Sequence, residues 1–353
     1  MHVRTLISRC LVPLLCMPLL GVAQTGIITG AGSSAAKLVY ETWGQRFAAE
    51  THITLDYAPV GSSAGVKKIV AREVGFGASD VAPDDATLES GALVLVPTVV
   101  TGAVPVVNLP GAAAGKLVLD GDVLARVFMR QIRQWNDPAI ASLNPGVALP
   151  AQAITVVVRS DGSGTTYNFT DYLAKVSPQW RDGFGVKSRI DWPEGVMAAK
   201  GSGGIVEAVR ATPGAIGYVD HTYVLRHSLD GVRLKNHDGR VVAASIDTFR
   251  AALSASPWQS RGEFRQTLTD QPGANSWPIT MGTFVLLPRR ISDATAGAAL
   301  IRFFTWSFMH GDALAADAHF VRLPDAVQAK AYRALAEITD DKGTPLAYSV
   351  LAQ

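Results

Sequence analysis

The chain has 353 residues, of which 48% are hydrophobic and 18% charged, less charge than the roughly 25% of an average soluble protein. A chain this apolar can bury a large core, which excludes intrinsic disorder, and its length suits one large or two moderate domains. Formal net charge is +2 and no long basic tract is present, which argues against a duplex phosphate backbone as partner. Lys67-Lys68 and Arg289-Arg290 read as solvated faces.

His2, Arg4 and Arg9 give the N-terminus a short basic start, Cys10 to Leu20 is an apolar run, and Gly21-Val22-Ala23 supplies small residues. This is the pattern of a secretory signal over residues 1–23, with cleavage expected after Ala23. The apolar run is too short to stay in a bilayer as an anchor. Leu15 precedes Cys16 where a lipoprotein signal carries a small residue, so no lipid anchor is expected at Cys16. Both cysteines lie in this segment, and a mature chain without them has no disulfide framework, thiolate metal site or cysteine nucleophile. Loss of Arg4 and Arg9 leaves 30 basic and 30 acidic side chains. An anion bound by so neutral a chain must be attracted locally.

Along the mature chain strands and helices alternate, which predicts an α/β architecture. Gly26-Ile27-Ile28 reads as a strand, Gly30-Ala31-Gly32-Ser33-Ser34 as a glycine turn, and Val39, Trp43 and Phe47 as the apolar stripe of a first helix. Ile53, Leu55 and Tyr57 alternate as a second strand. Gly61-Ser62-Ser63-Ala64-Gly65 follows, then a helix with Val66, Ile69 and Val70 on one face. Ile154 to Val158 is a buried strand leading into Arg159-Ser160-Asp161-Gly162-Ser163-Gly164-Thr165 and a further helix. Leu300, Phe303, Phe304 and Phe308 form a strong helical stripe that Arg302 interrupts, hence a core helix. No internal repeat or Pro/Gly/Ser linker divides the chain, so two lobes would be joined by strands.

Three segments share one design: strand, small residues with hydroxyls, helix. Free N–H groups and partial positive charge at a helix N-terminus suit an anion. Glycine admits close backbone approach, and serine or threonine adds a donor. One such turn is ordinary helix capping; three, with Arg159 beside the third, point to an oxyanion site. Asp80, ending Phe76-Gly77-Ala78-Ser79-Asp80, would repel a fully ionised anion such as sulfate. It can accept a hydrogen bond from one that keeps a proton, as hydrogen phosphate does near neutral pH. Asp161, two residues after Arg159, would orient the guanidinium and offset its charge.

Taken in order, Thr29-Gly30-Ala31-Gly32, Gly61-Ser62-Ser63, Gly65-Val66-Lys67 and Phe76-Gly77-Ala78-Ser79-Asp80 carry a resemblance. Leu117-Val118-Leu119-Asp120-Gly121, Trp135-Asn136-Asp137, Leu143-Asn144-Pro145-Gly146 and Asp161-Gly162-Ser163-Gly164-Thr165 continue it. Pro213-Gly214-Ala215-Ile216-Gly217-Tyr218 and Trp277-Pro278-Ile279-Thr280 complete it. Over nearly all its mature length the chain resembles the periplasmic phosphate-binding proteins of phosphate-specific ABC transporters. The resemblance implies a two-lobed, type II-like periplasmic-binding-protein fold with the ligand in a cleft and a strand hinge. Lobe I would comprise residues 24–100 and 278–353, and lobe II residues 101–277. It implies phosphate contacts from Ser34, the Ala35 N–H, Ser62, Asp80, Arg159, Ser163, Gly164 and Thr165, with Asp161 orienting Arg159. It also implies a monomer that needs no cofactor, catalyses no reaction and serves an inner-membrane permease. The family commonly has threonine then phenylalanine where this chain has Ser34 and Ala35, so a hydroxyl and an amide remain but an aromatic ring is lost.

Other readings stay open on the residues alone. Gly61-Ser62-Ser63-Ala64-Gly65 is a literal G-x-S-x-G, so an exported esterase would use Ser63 with His221, His227 or His237 as base. Few strands precede it, however, and no His-Gly-Gly segment lies upstream. Gly30 to Ala35 fits a loose dinucleotide fingerprint with Asp56 as ribose carboxylate. The scattered histidines contain no zinc motif, and Gly111 to Lys116 falls one residue short of a Walker loop. Asn168-Phe169-Thr170 is a formal glycosylation sequon inside a predicted helix, read as chance. The nearest rival is a binding protein of the same fold for sulfate or molybdate.

Overall fold

The computed structural model describes residues 26–109, 111 and 115–347. The predicted signal segment, with Cys10 and Cys16, lies outside the described residues. Twelve strands occur among them: β1 (Gly26–Gly32), β2 (Ile53–Ala58), β3 (Phe76–Ser79), β4 (Leu93–Val107), β5 (Val118–Leu119) and β6 (Thr155–Arg159), then β7 (Met197–Ala199), β8 (Ala215–Asp220), β9 (Asp230–Gly231), β10 (Arg233–Lys235), β11 (Val241–Val242) and β12 (Thr280–Pro288). Eight run in the order β2-β1-β3-β12-β4-β8-β6-β7, with β9 also on β4, and β11-β10-β5 form a small second sheet.

The long strand β4 organises the molecule. All fifteen of its residues are buried. It pairs with β12 from Leu93 to Gly102 and with β8 from Ala103 to Val107. A single strand thus passes from one half of the fold to the other, as expected for a chain that crosses between lobes on strands. Each half has its own aromatic core. In the first, Tyr40, Phe76 and Phe304 meet edge to face, as do Phe47 and Phe303. In the second, Phe169 stacks on Tyr218 and meets Phe128 edge-on.

Val39, Trp43 and Phe47 are buried on the Lys37–Thr51 helix, and Leu300, Phe303, Phe304 and Phe308 on the Ala294–His310 helix, as their spacing predicts. Two local expectations change. Gly30-Ala31-Gly32 is strand, with β1 pairing β3 through Gly32–Ala78, so the turn is confined to Ser33-Ser34 and the residues just before the helix. On the Ser62–Val70 helix Val70 is exposed, and the buried face is Ser62, Gly65 and Ile69. Gly65 dictates this rotation: a Cβ there would lie 2.5 Å from Gly32 Cα and 2.6 Å from the Ala31 carbonyl oxygen. Only a bare backbone lets the helix press this closely on β1.

Candidate oxyanion site

Asp80 leaves the end of β3 and is buried. Its Oδ1 accepts hydrogen bonds from Ser33 Oγ (2.6 Å) and Thr283 Oγ1 (2.9 Å). Among the described residues its Oδ2 has only the longer contact from Ser62 Oγ, at 3.5 Å. Arg159, the last residue of β6, is buried and grips Asp161 with two prongs, Nε to Oδ1 (2.7 Å) and Nη2 to Oδ2 (2.5 Å). That paired geometry fixes the plane of the guanidinium. It leaves Nη1 pointing at two hydroxyls, Ser34 Oγ and Ser202 Oγ, each 3.5 Å away and themselves 2.8 Å apart.

Helix starts surround these groups. Ser62 opens its helix; Gly164 and Thr165 open the Gly164–Val176 helix, capped by Ser163 Oγ on the Thr166 N–H (3.2 Å). Ser202 is the second residue of the Gly201–Ala211 helix, and the Gly201 N–H donates to Asp161 Oδ1 (3.0 Å). Ala35, fully buried, lies in the turn that leads into the Lys37–Thr51 helix. The first N–H groups of each helix have no intrahelical acceptor.

The two halves meet here directly. The Ser63 N–H donates to the Gly162 carbonyl (3.2 Å), and Asn168 Nδ2 to the carbonyls of Asp80 (2.8 Å) and Gly164 (2.9 Å). Tyr223 OH donates to the Ser34 carbonyl (3.2 Å). Beside Ser62 and Ser63 a cavity of about 650 Å³ opens, bordered also by Lys67, Tyr167 and Lys187.

Of the residues singled out in the sequence, Ser62 and Asp80 form one hydrogen-bonded set and Ser34, Arg159 and Asp161 another, with Gly164 against Ser62 and Asp80. Ala35, Ser163 and Thr165 flank them in the chain. Four participants were not foreseen: Ser33, Thr283, Ser202 and, as more than a chance sequon, Asn168. Ser202 had a legible signal, because Lys200-Gly201-Ser202-Gly203-Gly204 repeats the strand, glycine-serine, helix design.

Burial pushes the Asp80 carboxyl upward and outweighs the hydrogen bonds from Ser33 and Thr283, the Arg159 charge and Ser62, which all act to lower it. At Asp161 burial also pushes upward, but the Arg159 hydrogen bonds and charge and the Gly201 N–H outweigh it and hold the carboxyl low. Asp220, buried at the end of β8, accepts from Thr101 Oγ1 (2.7 Å), the Thr222 N–H (2.9 Å) and Thr222 Oγ1 (2.6 Å). Burial still drives it up to about 7, with help from the Asp80 charge.

The folded state therefore holds the Asp220 proton more tightly than the unfolded chain. This group's contribution to stability is full below the ordinary carboxylate range and is lost as pH rises to about 7. Asp220→Asn removes the dependence. Its stability relative to the wild type should grow with pH, by up to about 1.4 kcal/mol per unit of pH between the two carboxyl values, in denaturant titrations across that window. His221, which burial and His319 push down to about 4, acts in the opposite sense in both proteins and cancels from the difference.

A hydrolase would need a base on Ser63. Ser63 Oγ instead donates to Ser188 Oγ (3.3 Å). His221 packs on Phe249 and His319, His227 on Tyr223, and His237 pairs with Asp238. Asp56 is exposed on β2. Among the described residues no group of three or more His, Cys, Asp or Glu side chains could hold a metal, and no helix is long and apolar enough to cross a membrane.

Residues 22–312 match the family model described as the PBP superfamily domain. A protein of Pasteurella multocida named phosphate-binding protein PstS is 39% identical over 304 residues, 86% of this chain and 88% of that one. The chain belongs to the PstS family of phosphate-binding proteins. A Xylella fastidiosa protein of the same name is 39% identical over 297 residues, 84% of this chain and 81% of that one. The fold is also that of a phosphate-binding protein from Stenotrophomonas maltophilia, with TM-score 0.68 and 21% identity over 92% of this chain and 97% of that one.

Proposed function

We propose that this protein captures hydrogen phosphate in the periplasm and delivers it to the permease of a phosphate-specific ABC transporter. It acts as a monomer, with no reaction catalysed and no cofactor. The observation that carries the reading is the buried Asp80 carboxylate, whose Oδ2 keeps only one long contact, within a ring of O–H and N–H donors and one arginine. Such a site suits an oxyanion that brings one proton and otherwise only accepts hydrogen bonds. Ser34, the Ala35 N–H, Ser62, Arg159, Ser163, Gly164 and Thr165 are the donors in this reading, and Asp80 the acceptor. Asp161 keeps the guanidinium in plane, and the lobes are residues 24–100 with 278–353 and residues 101–277. Closure follows because the anion satisfies donors from both lobes at once.

Calorimetric titration of the phosphate-stripped mature protein at neutral pH should give tight one-to-one phosphate binding and no sulfate signal. Equal binding of sulfate would remove the proton-acceptor role of Asp80. Binding of neither anion would turn attention to Ser63, with fluorophosphonate labelling as the probe. Gly164→Ala should weaken phosphate about tenfold or more by the same titration. Its Cβ would lie 2.6 Å from Ser62 Oγ and 2.7 Å from Asp80 Cβ, and overpacking of that kind costs roughly 1–3 kcal/mol.

A further inference from the structure

We propose that Ser33 and Thr283 set the anion selectivity of this site: both donate to Oδ1 of Asp80, which favours the ionised carboxylate and leaves Oδ2 to receive the ligand's proton. This rests on the phosphate reading and names the groups that enforce it. Neither residue is needed to reach the anion; they act through Asp80.

The geometry is specific. The two hydroxyls come from opposite neighbours of β3, Ser33 from the turn after β1 and Thr283 from β12, and converge on one oxygen at 2.6 and 2.9 Å. A bulge stands opposite Thr283: Thr283 pairs with Val99 and Phe284 with Pro97, leaving Thr98 of β4 unpaired. Thr98 Oγ1 donates to the Thr283 carbonyl (3.1 Å) and meets Tyr40 OH at 3.0 Å. Bulges re-aim side chains, and this one accompanies a threonine aimed at the carboxylate.

Charge makes the two hydroxyls matter. A buried carboxylate tends to take up a proton unless hydrogen bonds and opposite charge hold its ionised form. Arg159, at the end of β6, favours ionisation, and the Asp80 charge in turn raises Asp220, at the end of β8. Tyr40 and Tyr57 face it as neutral phenols, because burial raises both. The hydroxyls of Ser33 and Thr283 are the strongest support the charged form has. Without them Asp80 takes up a proton, becomes a donor, and welcomes the unprotonated anion it otherwise repels.

The test compares wild type, Ser33→Ala, Thr283→Val and the double variant, titrated with phosphate and with sulfate from mildly acidic to mildly alkaline pH. Wild type should ignore sulfate throughout. The double variant should bind sulfate at the acid end, lose it as pH rises, and show a phosphate preference cut about tenfold at the acid end. Ser33→Thr and Thr283→Ser, which keep the hydroxyls, should behave as wild type. Sulfate affinity in the double variant as weak and as flat with pH as in wild type would overturn the proposal. Should the double variant not fold, the single variants must show the same trend at smaller size, or the proposal fails. Infrared difference spectra against Asp80→Asn read the carboxyl proton without any ligand. A wild type that binds no phosphate, while the double variant gains the protonated-carboxyl band, would sink the transport reading and leave the control of Asp80 standing.

Discussion

Arg159→Ala is expected to bind phosphate roughly 100-fold more weakly, or worse. The side chain is the one cation among the hydrogen-bonded groups of the site, and removing a partner of a buried, hydrogen-bonded charge pair costs 2–5 kcal/mol or more of binding, as a rough range. The loss goes beyond one contact, because Asp161 and Asp80 then face the anion with no guanidinium to offset them. Stability should fall as well, by about 3 kcal/mol, since the Asp161 carboxylate loses a two-pronged partner while little exposed. Arg159→Lys keeps the charge but not the planar fork, so it should recover part of the affinity. Arg159→Ala with Asp161→Ala should recover stability without recovering binding. Calorimetry and denaturant titration on the same four proteins separate the two effects, and unchanged affinity in Arg159→Ala would remove the arginine from the site.

Asp80→Asn should reverse the character of one corner of the cleft. The Ser33 and Thr283 hydroxyls will keep the amide oxygen where Oδ1 was, so the NH₂ group takes the place of Oδ2. A corner that only accepted then only donates. Sulfate binding should rise and phosphate binding fall, and the ratio of the two affinities should drop about tenfold or more, the size of one charge-assisted hydrogen bond made or lost. Competition of the two anions on the variant is the direct check, and retention of wild-type selectivity would end the proton-acceptor role.

The α/β alternation and the three hydroxyl-bearing turns were legible because each depends on local spacing. Val39, Trp43 and Phe47 recur every fourth residue and must share a helix face; all three are buried. Gly61-Ser62 and Ser163-Gly164 stand where a chain leaving a strand enters a helix, and both are helix starts. The fourth turn, at Ser202, was missed because the strand before it is three residues long and carries an exposed Met197, which blurs the apolar run that marks a buried strand. Val70 departs from its expected face for a related reason. Hydrophobic character suggested burial, whereas the close approach that Gly65 permits turned the helix so that Ser62 and Ile69 face inward.

What the sequence determined by itself is the alternation of strand and helix, several of the elements, and the chemistry at their ends: apolar stripes, glycine-serine helix starts, an arginine two residues from its aspartate. Those follow from periodicity and from backbone groups that every helix N-terminus leaves unpaired. What only the tertiary structure decided is which ends face one another. Ser33 rather than Ser34 reaches Asp80 because β1 pairs with β3 through Gly32 and Ala78. Thr283 joins them because β12, two hundred residues away in the chain, lies antiparallel to β3 in the register that pairs Phe284 with Ser79. Asn168 became a bridge between the halves, and Ser202 the partner of Ser34, through contacts that span 88 and 168 residues. Strand pairing and the packing of one half on the other are long-range events, and no local spacing encodes them.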